Sequence, residues 1–150
     1  QGLNIVPQIA TRPIGFVTSL QSYHMFMRRK TYLSLEHLSF AEKLNAMRQS
    51  DVRAAILSDE DVPPDQPGVM ANVYGLLAAA APAMFPITMP INYEPDPSES
   101  LGARAAAEGV DIAEVMYDYL VGGEGDQFAI LLGANFVDGT FSVMETMIIN

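Results

Sequence analysis

The sequence predicts a helix-rich α/β chain with two or three β-strands. Two short apolar segments, at 4–13 and 127–132, have the length and composition of strands and lie far apart in the chain. Between them, capping boxes precede several apolar repeats of helical spacing. No internal repeat divides the 150 residues, and a chain of this length fits a single domain.

The first predicted strand spans 4–13. Its β-branched residues, and the glycine and proline that flank it, favour a strand over a helix. An alternation of period two places Gln8 and Arg12 on the same face, so two long polar side chains point the same way. Pro7 cannot donate a ladder hydrogen bond, and we therefore expect a bulge or the strand end near it.

A long ordered loop is predicted over 15–38, because apolar periodicity is lost there and aromatic residues mix with the basic run 28–30. Three positive charges in an acidic protein do not make a site for polyanions, so this run is expected to be solvated. The acidic, proline-rich 59–67 is expected to be a solvated loop or hinge. Arg53 is likewise expected to face water.

Two helices are predicted after this loop. Ser39 and Glu42 form a capping box, in which each residue can bond the other's backbone N–H, and an apolar stripe follows over 40–48. Ser50 or Asp51 can cap a second, short helix.

The most apolar part of the chain, 69–89, is long enough to raise the question of a membrane span or of lipid association. Its polar and helix-breaking interruptions argue against a span. These are Asn72, Gly75, Pro82 and Pro86. We predict a buried helix over 69–81, followed by an extended segment over 85–89, and no membrane partner.

The second half of the chain contains the best-specified helices. A capping box at 96–99 starts a helix that should end at Gly109, and a second box at 111–114 starts one that should end at the glycines 122–123. A last helix over 140–148 completes the order.

Composition excludes several classes of function. Eighteen acidic and eight basic residues give a net charge of −10, which disfavours nucleic acid and anionic lipid as partners. The chain has no cysteine, so it can form neither disulfides nor thiolate metal sites. Hydrophobic residues make up 49% and charged residues only 17%, below the roughly 25% that is usual. The shortage of charge indicates a surface that is normally covered.

No motif in the chain carries catalytic chemistry by itself. His24 and His37 are too far apart in sequence for the usual paired metal ligands, so packing or loop roles are favoured. The glycines at 122–125 lack the lysine and the preceding strand of a phosphate loop. No nucleophile elbow is present. The carboxylates at 59–61 have no buried setting that would perturb their pKa values.

Gln8, Arg12 and Asn135 are the candidate binding residues. If the first strand belongs to a parallel barrel, Arg12 at its carboxyl end can clamp a carboxylate bidentately. Equally, the arginine can hold a loop by pairing with an acid or with backbone carbonyls. Asn135 follows the second strand in an equivalent position and carries the same two alternatives.

Three segments resemble the amidohydrolase superfamily, and more narrowly the D-aminoacylases, which are N-acyl-D-amino-acid deacylases. They are 5–15 (IVPQIATRPIG), 92–109 (NYEPDPSESLGARAAAEG) and 134–139 (ANFVDG). The resemblance runs from end to end, in the same order of elements, and is weaker over 16–90.

The resemblance implies a zinc-dependent (β/α)8 TIM barrel that hydrolyses the amide of N-acyl-D-amino acids with a metal-bound hydroxide. Such a barrel needs roughly 250 residues, so the chain would be a partial barrel, with 3–13 and 127–134 as neighbouring strands. The family's histidine zinc ligands and catalytic aspartate are not matched in the chain. We therefore expect no bound zinc, no catalytic residue and an inactive isolated segment, with Gln8, Arg12 and Asn135 lining the substrate pocket.

Two further expectations complete this interpretation. The opening residues lack the basic and apolar regions of a secretory signal, which favours a cytoplasmic protein. Unpaired strand edges favour self-association of the isolated segment. The alternative from another class is a non-enzymatic, helix-rich protein-interaction module whose apolar excess is its binding face.

Overall fold

The computed structural model describes residues 15–64, 73–92 and 94–133. Together these residues form a helix-rich, mixed α/β structure, as the sequence predicts. The helices are α1 (Lys30–Ser34), α2 (Phe40–Met47), α3 (Ser50–Ser58), α4 (Val73–Ala80), α5 (Leu101–Glu108) and α6 (Ile112–Val121). The strands are β1 (Gly15–Thr18), β2 (Met84–Pro86) and β3 (Ala129–Leu132).

The three strands form one small sheet in the order β1-β3-β2. β3 is central and runs antiparallel to both neighbours, with Gly15 opposite Leu132 on one side and Met84 opposite Leu131 on the other. The last described strand therefore inserts between two strands that precede it in the chain.

This pairing bears on three predictions. β3 confirms the strand predicted over 127–132. The loop predicted over 15–38 is wrong at 15–18 and at 30–34, which form β1 and α1. The strands of a TIM barrel have parallel neighbours, whereas both neighbours of β3 are antiparallel. The predicted partial barrel is therefore not confirmed. The predicted strand at 4–13 lies outside the described residues.

Side-chain caps start α2, α5 and α6. The capping box before α2 is confirmed: the Glu42 N–H donates to Ser39 Oγ at 3.4 Å, and Glu42 Oε2 accepts from the Ser39 N–H at 3.0 Å. The Ser39 hydroxyl, which donates to Glu42 Oε2 at 2.5 Å, and the Ser39 N–H both favour the charged carboxylate and lower the pKa of Glu42. The predicted caps of α3 are wrong, because Gln49 occupies the N-cap and Ser50 and Asp51 lie inside the first turn.

The helix predicted from the box at 96–99 is divided in two. That box closes a 3-10 turn over Pro97–Glu99, and Ser100 then caps α5 by accepting from the Ala103 N–H at 3.1 Å. α5 ends where expected, at Gly109, whose φ of +68° is the left-handed conformation that glycine adopts without strain. α6 begins as predicted at Asp111, which accepts from the Ala113 N–H at 2.7 Å.

The described part of the apolar stretch, 73–89, folds as a short helix, a turn and a strand. α4 stops at Ala80, and Pro82 lies in a 3-10 turn over Ala81–Ala83 that leads directly into β2. The predicted order of helix and extended segment is confirmed. Within the described ranges, none of the helices has the length and apolarity needed to cross a bilayer. The last predicted helix, 140–148, lies outside them.

One hydrophobic core joins the sheet to the helices. The largest of its fully buried apolar side chains come from the 19–29 loop, from α2, α3, α5 and α6, and from β2. They are Phe26, Met47, Ile56, Met84, Leu101, Met116, Tyr117 and Leu120, each no more than 1% exposed. The Tyr117 hydroxyl donates to the Met47 carbonyl at 2.8 Å, which ties α6 to the end of α2. Burial raises the pKa of Tyr117 to about 12.

Candidate functional site

The start of β1 and the end of β3 lie at the same end of the sheet, where Gly15 is paired with Leu132. The approach is close: a Cβ on Gly15 would lie 2.8 Å from Ile130 Cδ1 and 3.1 Å from the Leu131 carbonyl oxygen. A larger residue at the start of β1 would therefore require the Ile130 side chain to shift. We call this place the Gly15–Leu132 end.

All three candidate binding residues, Gln8, Arg12 and Asn135, lie outside the described residues. In sequence, Arg12 comes three residues before Gly15, and Asn135 comes three residues after Leu132. Pairing at the Gly15–Leu132 end therefore brings together the two points of the described chain from which the segments carrying Arg12 and Asn135 continue.

The basic run 28–30 is not simply solvated, which corrects the sequence prediction. Arg28 donates to the Val62 and Pro63 carbonyls at 2.8 and 2.7 Å. Arg29 donates to the Asp59 carbonyl, and its Nε lies 3.1 Å from Asp61 Oδ1. The two arginines thus hold the loop that follows α3.

The acidic side of this contact is equally specific. Asp59 Oδ2 accepts from the Thr31 N–H at 2.6 Å, and the Val62 N–H donates back to the Arg28 carbonyl at 2.8 Å. The bond from the Thr31 backbone is the main cause that lowers the pKa of the Asp59 carboxyl. The 59–63 segment is therefore a loop, one of the two predicted alternatives, and it is fastened to 28–31 through Asp59 and Asp61.

Arg53 was expected to face water, but it joins α3 to α6. Its guanidinium bonds both oxygens of Asp118 at 2.8 Å and Glu114 Oε2 at 3.2 Å. The guanidinium carbon also lies 5.9 Å from the centre of the Tyr117 ring. The two carboxylates raise the pKa of Arg53 above its ordinary value. A guanidinium engaged in this way is not available to bind an anionic ligand.

We expect Arg53→Met to lower the free energy of unfolding by about 1 kcal/mol, more than an isolated surface ion pair contributes, because two carboxylates and a bidentate geometry are lost. Urea unfolding followed by circular dichroism measures the change. Arg104→Met is the matched control: it removes an exposed pair with Glu108 within α5, for which about 0.3–0.5 kcal/mol is expected. Equal effects of the two substitutions would contradict the linking role of Arg53.

Two shallow clefts flank the Arg53 ion pairs. One, of about 320 Å³, lies between α3 and the start of α6 and is lined by Leu57, Ser58 and Asp111, among others. The other, of about 200 Å³, lies beside Arg48 and Gly122. Their charged groups are already engaged: Asp111 caps α6, and Arg48 donates to the Gly123 carbonyl. Neither cleft therefore presents an uncommitted charged group to a ligand.

His24 is a packing histidine, as its position in the sequence favours. The side chain is fully buried, and its ring meets the Tyr32 ring edge to face, with centroids 4.8 Å apart. Burial, with a smaller contribution from the charge of Lys43, lowers the pKa of His24 from 6.5 to about 3. A substrate cannot reach this imidazole in the described arrangement.

The described residues do not fit a zinc site. Over 15–64, 73–92 and 94–133, no three histidine, aspartate or glutamate side chains are grouped so that they could hold a metal ion. A protein zinc site needs at least three such ligands when cysteine is absent. We accordingly assign no metal ligand and no metal-dependent step to these residues.

Sequence reasoning missed the contacts of Arg28, Arg29 and Arg53. Their partners lie 30–35 residues away for the first two and 61–65 for the third. The only available signal was the coincidence of a basic run with an acidic loop of matching length.

Comparison with known proteins adds no relative: no family model, no curated protein and no solved structure matches the chain.

Proposed function

We propose that the chain is an internal segment of a cytoplasmic, zinc-dependent amidohydrolase that hydrolyses N-acyl-D-amino acids. The resemblance of 5–15, 92–109 and 134–139 to the D-aminoacylases is the basis of the proposal. One structural observation supports it. The first of these segments leads into β1 and the third follows β3, so the pairing of Gly15 with Leu132 joins the sheet ends from which both continue.

In this proposal the chain contributes substrate binding. Arg12 binds the carboxylate of the acyl amino acid, since a guanidinium matches a carboxylate with two parallel hydrogen bonds. Gln8 and Asn135 line the same pocket. The zinc ligands and the general base belong to parts of the enzyme that the resemblance places beyond both ends of this sequence, and no step is assigned to them here.

The antiparallel sheet sets a condition on the proposal. β1 and β2 occupy both edges of β3, whereas a barrel strand has parallel neighbours on both edges. β3 must therefore exchange these partners when the remaining barrel strands are present. The outer strand β1 is short, and its Phe16 and Val17 are 56% and 48% exposed, so little apolar burial opposes the exchange on that side.

We expect Arg12→Ala in the uncut protein to raise the KM for an N-acyl-D-amino acid by about 10- to 100-fold, with kcat changed much less, because a uniform binding contact is lost. Steady-state hydrolysis over a range of substrate concentrations measures both constants. Arg12→Lys, which keeps the charge but not the fork, should give an intermediate KM. Arg104→Ala is the matched control, since that arginine pairs only with Glu108 among the contacts described.

An unchanged KM in Arg12→Ala would contradict the role given to this residue. Absence of any deacylase activity in the zinc-supplied, uncut wild-type protein would contradict the function.

The second candidate function is that of a non-enzymatic protein-interaction module. It is favoured by the exposed apolar side chains of Phe16 and Val17 on the outer edge of the sheet. Under that function, Phe16→Ser and Val17→Ser would abolish binding of a partner, and no hydrolysis would be found.

A further inference from the structure

His24 is the one histidine among the described residues that the fold encloses completely. It lies in the 19–29 segment between β1 and α1, with 0% of its surface exposed, among the aromatic rings of Phe26 and Tyr32. The Thr18 hydroxyl, at the end of β1, donates to the Tyr23 carbonyl at 2.7 Å, which closes the start of the loop. The imidazole is thus part of the packing that holds this segment.

The hydrogen bonds of the ring define its protonation state. Nδ1 accepts from the Phe26 N–H at 3.3 Å, so the neutral ring carries its proton on Nε2. Nε2 is buried and has no hydrogen-bond partner among the described residues. A protonated ring would carry N–H groups on both nitrogens. The Phe26 N–H would then lose its acceptor and face a second donor, and a full charge would be enclosed without a counter-ion.

The groups that face His24 do not offset this charge. From α1, Tyr32 presents its ring and not a carboxylate, and burial raises the pKa of its hydroxyl. From α2, Lys43 brings a second positive charge, with its Nζ 4.9 Å from the centre of the Tyr32 ring. The cation on the far side of this cluster therefore adds repulsion to the desolvation of a protonated imidazole.

We propose that His24 makes the packing of the 19–29 segment against α1 and α2 sensitive to acid, so that uptake of one proton by this imidazole opens the segment while the exposed His37 has no such effect. Opening releases Phe26 from the core and frees the loop that links β1 to the basic run. The segment is therefore an acid-responsive element built into the core.

The direction of the pH effect follows from linkage. The pKa of His24 is lowered to about 3 in the folded state, from 6.5 when the ring is exposed. The open state thus binds more protons between these values, and closed packing is fully present above pH 6.5 and lost as the pH falls towards 3. Between pH 7.5 and pH 5, before most carboxylates titrate, the opening equilibrium should increase about 30-fold.

Hydrogen exchange of the 150-residue chain tests this proposal. Protection factors of the amides at 24–32, corrected for intrinsic exchange, should fall about 30-fold between pH 7.5 and pH 5. In His24→Asn, whose amide oxygen can replace Nδ1 as acceptor but does not titrate, this fall should disappear. His37→Asn, the matched control at an exposed position, should keep it.

A second measurement does not depend on His24→Asn being folded. The chain contains two histidines, so the imidazole resonances of the wild type can be assigned with His37→Asn and followed from pH 8 to pH 4. His24 should stay neutral in the closed state down to pH 5. Titration of His24 near its unperturbed pKa of 6.5, with protection at 24–32 unchanged, would overturn the proposal. A pH-dependent fall that persists in His24→Asn would overturn it as well.

Discussion

Phe26→Ala is expected to lower the free energy of unfolding by about 3–5 kcal/mol, because it removes a fully buried ring and leaves a cavity that the surrounding core fills only in part. Phe26 is 0% exposed, and its ring meets that of Tyr117 at a centroid distance of 5.3 Å and an angle of 73°. The edge-to-face contact with Tyr117 adds to the loss. Urea unfolding followed by far-ultraviolet circular dichroism measures the effect.

Phe16→Ala is the matched control for this loss. The same side chain is deleted from β1, where it is 56% exposed, so less than about 1 kcal/mol is expected. Comparable losses in the two variants would contradict the assignment of the 19–29 segment to the core. A loss confined to Phe26→Ala would support the view that this segment is held by packing and not only by its turns.

The second large effect is expected at Gly102, in the first turn of α5. A Cβ at this position would lie 2.4 Å from the Pro82 carbonyl oxygen and 2.9 Å from Pro82 Cα. These are backbone atoms of the 3-10 turn before β2, so they cannot move aside as a side-chain end can. Gly102→Ala should therefore separate α5 from this turn and lower the free energy of unfolding by about 1–3 kcal/mol, even though alanine favours a helix.

Gly75→Ala provides the opposite result within the same fold. Gly75 lies inside α4 and is exposed, and no atom of the described residues would lie within 4 Å of an added Cβ. The free energy of unfolding should rise by about 0.5–1 kcal/mol, because alanine has the higher helix propensity. Thermal and urea unfolding of both variants gives the comparison. If Gly102→Ala were neutral or stabilising, the close approach of α5 to Pro82 would be excluded.

The two substitutions also concern the sheet. Pro82 lies two residues before the start of β2, and β2 covers one edge of β3. Displacing α5 should therefore loosen the same strand pairing that the amidohydrolase proposal requires β3 to exchange. Hydrogen exchange of the amides at 129–132 would detect such loosening in Gly102→Ala.

The helices could be predicted well where their signals are local. Ser39 bonds Glu42 three residues on, and Asp111 bonds Ala113 two residues on, so the sequence contains both partners side by side. The cap at Ser100 was not predicted, and the division of the 96–109 helix was therefore missed. Both Asp96 and Ser100 are competent caps, and sequence alone does not say that each starts a separate turn.

The candidate site was much less accessible to prediction. Arg12 was singled out because a guanidinium at the end of a strand suits carboxylate binding. In contrast, Arg28, Arg29 and Arg53 were expected to be solvated. Each binds partners that are distant in sequence. A positive charge looks the same in a sequence whether it faces water, a distant carboxylate or a substrate.

By itself, the sequence determined the mixed α/β class, the caps of α2 and α6, the end of α5 at Gly109 and the strand at 129–132, because these depend on backbone groups a few residues apart and on local apolar spacing. Only the tertiary structure decided that β1 forms at all, that β3 lies between two antiparallel partners, and that His24 is enclosed. Pairing of Gly15 with Leu132 depends on which surfaces meet after the helices have packed. Such long-range contacts gain their stability from burial and from paired hydrogen bonds, and no local pattern encodes them.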